Sequence, residues 1–272
     1  ITQSGGSVTQ WNDKSGNGFH AFAGGSPTYS NTLNAIRFNG SSSYFSNLSY
    51  ALNLAQRSIF IVMSEITHTS VAGVFPHIPN PTSGSDYQTS NGLSIETSNG
   101  LRFYYFSGNY YSDMGNSVLL AQAIYNDNMT TRSGSSFLNG SNTSNITSSA
   151  DFGTCAGYAL GARWIGAIAS PYLNGYINEI VVFSRNINST ERQQVENYLA
   201  WKWNLQSSLQ TSHPYYYNQG VANLKLSAQI ANSYVATNVF PILPTNFANL
   251  SLWFDAADPT TIGSNSFPAS AN

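Results

Sequence analysis

The chain has 272 residues and an unusually low charge of 8%, with 10 Lys+Arg against 12 Asp+Glu and a net charge of −2. A typical soluble domain has about 25% charged residues, whereas here 31 Asn, 40 Ser and 20 Thr supply the polarity. This composition offers no basic surface for nucleic acid, and no apolar run reaches the ~18 residues that span a bilayer. The single cysteine, Cys155, excludes a disulfide within the chain, while 41% hydrophobic residues are enough for a core.

Most of the chain before residue 184 has the composition of β-strands separated by turns. The candidate strands are rich in β-branched and aromatic residues and are bounded by Gly, Asn, Ser and Pro. They lie at residues 35–38, 58–64, 92–97, 101–106, 118–125, 136–138, 158–161 and 176–183. Five Asn-Gly dipeptides, which begin at residues 39, 91, 99, 139 and 174, each favour a turn with positive φ. Many short strands with regular turns predict an all-β antiparallel sandwich or barrel.

The last candidate strand, residues 176–183, is apolar on both of its alternating faces. This pattern predicts a central strand of the sheet. Glu179 is then expected to be buried and to need a partner, for which Arg185 and Arg192 are the candidates. We interpret Glu179 as a residue that maintains the fold rather than a catalytic one.

One segment, at about residues 188–203, has the pattern of an α-helix. Asn188 followed three residues later by Glu191 is the signature of a capping box. Apolar residues then recur every four positions and form one stripe, which consists of Val195, Leu199 and Trp203 with Tyr198 beside them. After residue 205 the periodicity is lost, so residues 206–248 are predicted to form an extended linker, partly packed on a neighbour.

Four sequence blocks occur in an order that is typical of one superfamily. They are WNDKSGNG at residues 11–18, IRFNG at 36–40, YLNGYINEIVVF at 172–183, and the helix that ends in LAWKW at 199–203. Together they resemble the concanavalin A-like lectin/glucanase superfamily in its laminin-G-like form. The resemblance covers about residues 1–205 and implies a jelly roll of two packed antiparallel sheets, followed here by one C-terminal helix.

The resemblance also implies a setting for the domain. Copies with this closing helix are common in long surface and structural proteins of large DNA viruses and in bacterial surface proteins. In such domains a segment like LWFDAADP precedes the WNDKSGNG-type block, whereas here it lies at residues 252–259. We therefore expect residues 1–205 to be a jelly roll without its first strand, 206–248 a linker, and 249–272 the start of a following repeat. Neighbouring domains or subunits would then be linked by β-pairing. The expected partners are other copies of the chain or other virion or surface proteins.

The superfamily includes glycoside hydrolases, whose chemistry needs two carboxylates roughly 5–10 Å apart. No two acidic residues have a spacing that would place both on one face of a predicted strand, although a pair from different strands, such as Glu65 with Glu96, stays open. Cys155 has no neighbouring base in the sequence and is interpreted as a small buried thiol. We expect no catalytic residues and no enzymatic activity, with a glycoside hydrolase as the alternative function.

Calcium is the one cofactor that the resemblance suggests, because many laminin-G-like domains bind it through oxygen ligands. Asp13, Asp127 and Asp151 lie in oxygen-rich segments that are predicted to be loops, which suits a hard cation. The competing explanation for Asp13 is a structural turn in which its carboxylate bonds to nearby backbone.

Carbohydrate binding is the predicted function, because sugars are typically held by an aromatic face together with amide and carboxylate groups. The sequence YYFSGNYYSD at residues 104–113 offers both in one predicted strand and loop, and Arg163-Trp164 is a second candidate. The candidate sugar-binding residues are Tyr104, Asn109, Tyr110, Tyr111, Asp113 and Trp164.

Alternate aromatic residues on a strand are usually core residues, so one of Tyr104 and Tyr105 is expected to be buried. The loop tyrosines Tyr110 and Tyr111 are therefore the stronger candidates. The sequence predicts a structural or adhesive module at a virion or cell surface, acting by lectin-like glycan binding or by capsid or fibre assembly. A purely architectural module that binds no sugar stays open.

Overall fold

The computed structural model describes residues 3–4, 6–50, 57–66, 72–79, 93–97, 101–105, 108–112, 118–128, 131–148, 155–166, 168–216 and 243–258. Within these ranges the chain is an all-β antiparallel sandwich with one α-helix, which confirms the predicted fold class. The elements in chain order are β1 (Gln3–Ser4), β2 (Ser7–Val8), β3 (Gln10–Trp11), β4 (Ala21–Gly24), β5 (Thr28–Ser30), β6 (Ala35–Asn39), β7 (Tyr44–Asn47), β8 (Arg57–Glu65), β9 (Ala72–Gly73), β10 (His77–Pro79), β11 (Leu93–Thr97), β12 (Leu101–Tyr105), β13 (Gly108–Ser112), β14 (Val118–Asn128), β15 (Thr131–Leu138), β16 (Ser141–Ser148), β17 (Cys155–Leu160), β18 (Ala162–Ile165), β19 (Ile168–Tyr172), β20 (Asn174–Phe183), α1 (Ser189–Lys202) and β21 (Leu250–Asp255).

All eight predicted strands are confirmed, and the turn signals are confirmed in part. Asn139 and Gly140 both have positive φ, of 49° and 76°, and they close the hairpin between β15 and β16. The turn predicted at Asn174-Gly175 is wrong, because both residues lie inside β20. The Asn-Gly dipeptides at 91 and 99 lie outside the described residues.

The larger sheet has the strand order β1-β2-β5-β6-β20-β8-β14-β15-β16, with β21 also paired to β20. Strand β8 pairs along one side of β20 from Gly175 to Phe183. On the other side, β6 pairs with the first part of β20 and β21 with the second part. The predicted central position of residues 176–183 is therefore confirmed.

A second sheet, with the order β10-β17-β7-β4-β3, packs against this larger sheet and encloses the main core. Trp11, Phe45 and Tyr158 project from the five-stranded sheet, and Ile61 and Phe254 project from the larger one, all fully buried. Their aromatic rings meet at the centre, where the ring centroids of Trp11 and Phe254 are 5.1 Å apart. Burial of these large apolar side chains supplies the main driving force for folding.

The helix α1 covers the opposite face of the larger sheet. Its buried residues Val195 and Leu199 pack on Phe60 and Phe183, so the central strands β8 and β20 are buried on both faces. The predicted capping box of α1 is confirmed, since Asn188 Oδ1 accepts from the Glu191 backbone N–H and the Asn188 N–H donates to the Glu191 carboxylate, both at 2.9 Å.

A β-bulge in β20 determines which face each of its residues occupies. Ile177 pairs with Met63 of β8 and Glu179 pairs with the adjacent Val62, so Asn178 is an extra residue. Ile177 consequently lies in the main core, while Glu179 contacts residues on the side of α1. Strict alternation would place these two residues on one face, so the sequence pattern alone misassigns one of them.

Two smaller sheets complete the described fold. The hairpin β18–β19 packs on the outer face of the five-stranded sheet, where Trp164 and Ala169 contact Ile78 and Ala159. The remaining sheet has the order β13-β12-β11-β9. Its strand β9 lies so close to β18 that a Cβ on Gly73 would overlap the backbone of Ala162.

The predicted boundaries after residue 205 need correction. Leu209 is buried beside α1, and His213 Nε2 lies 3.0 Å from the buried Glu196 carboxylate, so residues 206–216 pack on the domain instead of forming a linker. Strand β21 pairs with β20 of the same chain, so residues 250–258 also belong to this domain, contrary to their assignment to a following repeat. The tandem array itself stays a prediction.

None of the helices in the described part of the chain is long and apolar enough to cross a membrane.

Candidate functional site

Segments far apart in the sequence converge on the carboxylate of Glu179. Strand β20 supplies Glu179, β21 supplies Asp255 directly opposite it, α1 supplies Lys202, and the turn after β3 supplies Lys14. With Asp258, which also pairs with Lys14, we call these residues the Glu179 cluster. Lys14, Glu179 and Lys202 each come from a different one of the four sequence blocks described above. In the cluster all three meet Asp255 of the LWFDAADP segment.

Both oxygens of the Glu179 carboxylate are occupied by donors, and the side chain is fully buried. Oε1 accepts from Trp253 Nε1 at 2.7 Å and from the Tyr198 hydroxyl at 2.9 Å. Oε2 accepts from Trp203 Nε1 at 2.6 Å and lies 2.8 Å from Lys202 Nζ. Burial raises the pKa of the Glu179 carboxyl, and the ammonium of Lys202 opposes that shift.

Two lysines connect the three carboxylates of the cluster. Lys202 Nζ lies 2.6 Å from Asp255 Oδ1, and Lys14 Nζ lies 3.1 Å from Asp255 Oδ2 and 2.5 Å from Asp258 Oδ2. Lys14 also stands 4.2 Å above the ring of Trp253, at cation–π distance. Burial lowers the pKa of the Lys14 ammonium, but its bonds to Asp258 and Asp255 outweigh this effect and leave that pKa raised.

The geometry of the cluster is that of a structural clamp. Glu179 and Asp255 face each other across adjacent strands, as a pair of hydrolytic carboxylates could, but Lys202 lies between them and ion-pairs with both. Four donors around a buried Glu179 leave it no free position toward a substrate. This agrees with the interpretation of Glu179 as a residue that maintains the fold.

The predicted partners of Glu179 were wrong. Arg185 instead pairs with Glu191 at 2.7 Å, and Arg192 pairs with Glu196 one helical turn away. Glu179 lies against the C-terminal end of α1, where it contacts Lys202 and Trp203, whereas Arg185 lies at the first turn of the helix. The sequence did hold one signal, since Lys202-Trp203 ends the helical block of the resemblance.

The turn at residues 11–18 is a structural feature, and this explains Asp13. Asp13 Oδ1 accepts from the backbone N–H of Ser15 at 2.8 Å and of Trp253 at 3.0 Å. Its Oδ2 accepts from the Ser15 hydroxyl at 2.8 Å and the Phe19 N–H at 3.1 Å. These four donors take the lone pairs that a cation would need, so the turn explanation holds for Asp13 against the calcium explanation.

The structure does not place the other two calcium candidates in the loops that the sequence predicts for them. Asp127 lies within β14 and not in a loop, and Asp151 lies outside the described residues. Within the described ranges, no group of three or more His, Cys, Asp or Glu side chains is placed to hold a metal ion.

We expect calcium to leave the thermal stability unchanged and substitution of Asp13 to reduce it. Asp13→Ala would leave the buried Trp253 N–H without its acceptor, at a cost of about 1–3 kcal/mol. Thermal unfolding with a few millimolar calcium or with chelator measures both effects. A calcium-dependent rise in melting temperature that Asp13→Ala abolishes would instead restore Asp13 as a metal ligand.

Most of the predicted sugar-binding residues lie on the hairpin of β12 and β13. The register places Tyr104 opposite Asn109, Phe103 opposite Tyr110, and Arg102 opposite Tyr111. Tyr110 and Tyr111 therefore lie in strand β13 and not in the predicted loop. Asp113 lies outside the described residues.

Trp164 does not join this hairpin. It lies in β18 and is only 8% exposed, because it packs on Ile78, Ala159 and Ala169. A ring buried to this extent has little surface for a sugar, so the structure argues against Trp164 as a binding residue. The burial of Cys155 in the main core confirms its interpretation as a buried thiol, and Glu65 and Glu96 lie in different sheets.

Comparison with known proteins identifies a fold but no family. No family profile matches the chain, and no curated protein matches it. Among solved structures, an arabinofuranosidase complexed with arabinofuranosyl-α-1,2-xylobiose has a TM-score of 0.52 at 12% identity, over 70% of this chain and 50% of that chain. The chain has a lectin-like β-sandwich fold.

Two further structures are similar at lower scores. Domain 4 of an extracellular arabinanase from Geobacillus stearothermophilus, in complex with arabinotriose, has a TM-score of 0.42 at 16% identity, over 67% of this chain and 84% of that chain. The CBM40 of a Ruminococcus gnavus sialidase, bound to α2,3 sialyllactose, has a TM-score of 0.41 at 12% identity, over 69% of this chain and 91% of that chain. At such identities the likeness concerns the fold alone.

Proposed function

We propose that this chain is a non-enzymatic carbohydrate-binding module of an extracellular or virion-surface protein, and that its sugar site lies on the β12–β13 hairpin. The observation that carries the proposal is the register of this hairpin, which gathers Tyr104, Asn109, Tyr110 and Tyr111 at one end of the four-stranded sheet. Aromatic residues beside an amide supply the stacking face and the directional hydrogen bonds that a sugar requires.

The low charge of the hairpin supports a neutral ligand. The strand sequences LRFYY and GNYYS contain one charged residue, Arg102. The structure with the TM-score of 0.52 is a complex with arabinofuranosyl-α-1,2-xylobiose, a neutral oligosaccharide, and this compound is therefore a suitable first probe.

A hydrolase is the less favoured alternative. The two carboxylates that the structure places side by side, Glu179 and Asp255, are bridged by Lys202 and packed under Trp253. A general acid must release a proton to a bound substrate, which this arrangement opposes. A surface module could also serve capsid or fibre assembly, and in that case its glycan contacts would attach the particle or cell to a host.

Glycan-array screening of the full chain is expected to give binding to neutral glycans, without cleavage of the bound sugars. Tyr110 and Tyr111 are consecutive in β13 and project from opposite faces, so the double variant Tyr110→Ala/Tyr111→Ala removes the ring on whichever face holds the sugar. It is expected to weaken that binding about tenfold, because one stacking contact is worth about 1 kcal/mol. Titration calorimetry on the best array ligand measures the loss.

Tyr215→Ala is the matched control. Tyr215 is a partly exposed tyrosine that contacts His213 on the side of α1, so its loss should leave sugar affinity unchanged. Equal affinity of the wild type and the double variant would reject the hairpin as the site, and a wild type that binds no glycan would reject the function.

A further inference from the structure

The outer face of the five-stranded sheet carries a second aromatic surface. In β7, Phe45 and Asn47 point into the sandwich and are buried, while Tyr44 and Ser46 alternate with them and are partly exposed. The ring of Tyr172, from β19, lies beside Tyr44 with centroids 6.3 Å apart and a tilt of 40°. We call Tyr44, Ser46 and Tyr172 the Tyr44 platform.

A glycine holds the first ring in place. A Cβ on Gly24 of β4 would overlap the outer half of the Tyr44 ring, so this ring rests directly on the backbone of the neighbouring strand. The Tyr44 and Tyr172 rings also pack at the border of the buried cluster around Trp164 and Ala159. Support from below and from one side fixes the rings before any ligand arrives, which lowers the entropy cost of binding.

The platform also carries three hydroxyl groups. The hydroxyls of Tyr44, Ser46 and Tyr172 have no hydrogen-bond partner in the part of the chain that the structure describes. Ser46 lies two positions from Tyr44 on the same strand, so its hydroxyl is on the same face as the ring. Fixed rings with unpaired hydroxyls match the alternating apolar faces and hydroxyl edges of a sugar.

The sheet beneath the platform is uncharged. The sequences of β3, β4, β7, β10 and β17 are QW, AFAG, YFSN, HIP and CAGYAL, and they contain no Lys, Arg, Asp or Glu. These five strands therefore offer no counter-charge to a carboxylate, phosphate or ammonium ligand, and Arg163 of the neighbouring β18 is buried. The face suits a neutral ligand.

We propose that the Tyr44 platform is a second sugar-binding subsite, which takes a neutral oligosaccharide or polysaccharide by stacking on the rings of Tyr44 and Tyr172 and by hydrogen bonds to their hydroxyls. This inference rests on the proposed carbohydrate-binding function and adds a site to it. The sheet that carries the β12–β13 hairpin meets the hairpin of Tyr172 where Gly73 of β9 packs on Ala162 of β18.

The test compares two sets of variants on the full chain by titration calorimetry, first with arabinofuranosyl-α-1,2-xylobiose and then with the best neutral polysaccharide from the array. Tyr44→Ala/Tyr172→Ala is expected to weaken polysaccharide binding about tenfold, with the hairpin residues intact. Sialylated glycans of the same length are expected to bind no better than their neutral counterparts. Thermal melts of every variant verify folding, and Tyr215→Ala is again the control.

The outcomes separate this inference from the proposed function. If the wild type binds a neutral glycan and Tyr44→Ala/Tyr172→Ala binds it equally well, the platform is rejected while the function stands. If the wild type binds no glycan at all, both are rejected. If the platform variants do not fold, Tyr44→Phe and Tyr172→Phe keep the rings and remove the hydroxyls, and unchanged affinity of both would reject the hydroxyl contacts that the inference requires.

Discussion

Glu179→Ala is expected to lower the free energy of unfolding by about 3–5 kcal/mol, because it breaks a buried ion pair by removing one partner. The indole N–H groups of Trp203 and Trp253 and the hydroxyl of Tyr198 would lose their shared acceptor. Lys202 would retain only Asp255 as a carboxylate partner, in a setting where water is largely excluded. Each of these groups bears a desolvation cost that the carboxylate now offsets.

Urea unfolding measures this effect, and Glu191→Gln provides the matched control. Glu191 also pairs with an arginine, but its carboxylate is partly exposed, and a glutamine at this position preserves the capping box. Glu191→Gln should lower the free energy of unfolding by less than about 1 kcal/mol, as is usual for the loss of a surface ion pair. Similar losses for both variants would show that the Glu179 cluster contributes no more than a surface pair does.

Segments that are far apart in the sequence meet at the Glu179 cluster and its surroundings. The turn at residues 11–18 contacts β21 by way of Asp13 and Lys14, whose backbone N–H donates to the Trp253 carbonyl at 2.7 Å. The strand at 174–183 and the end of α1 meet at the same carboxylate. These segments therefore supply contacts that close the sandwich.

Local patterns were sufficient to predict most of the fold. The capping pair Asn188 and Glu191 located the start of α1, and β-branched runs located the central strands, since both features arise from neighbours in the sequence. The bulge at Asn178 could not be predicted, because it depends on the register against β8. Because of that one extra residue, Ile177 lies in the main core while Glu179 faces α1.

The same reasoning applies to the candidate sugar residues. Composition located the hairpin that carries Tyr110, but Trp164 looked accessible in the sequence and is covered by the packing of β18 on the five-stranded sheet. The sequence does not single out Tyr44, because its ring rests on Gly24. Gly24 lies twenty residues away in the chain and is adjacent to Tyr44 only through β-pairing. Burial and cross-strand support are long-range properties, which single-sequence patterns do not contain.

Phe254→Ala is expected to lower the free energy of unfolding by about 3–5 kcal/mol, since it would leave a large cavity in the core. The Phe254 ring is fully buried, and its centroid lies 5.1 Å from that of Trp11 and 5.9 Å from that of Tyr158, both in the facing five-stranded sheet. This effect is a direct test of whether β21 belongs to this domain or to a following repeat.

The control for Phe254→Ala is Leu243→Ala, in the same C-terminal segment. Leu243 is 40% exposed, so its substitution by alanine is expected to change the free energy of unfolding by no more than about 0.5 kcal/mol. If β21 belonged to an independent unit, Phe254 would not pack in the core of this sandwich. Both variants would then unfold at the same urea concentration as the wild type. A large loss for Phe254 alone, at unchanged m-value and independent of protein concentration, requires that the strand be seated in its own chain. The LWFDAADP segment then completes the sandwich that the WNDKSGNG turn closes, and any β-pairing between neighbouring copies must use another strand.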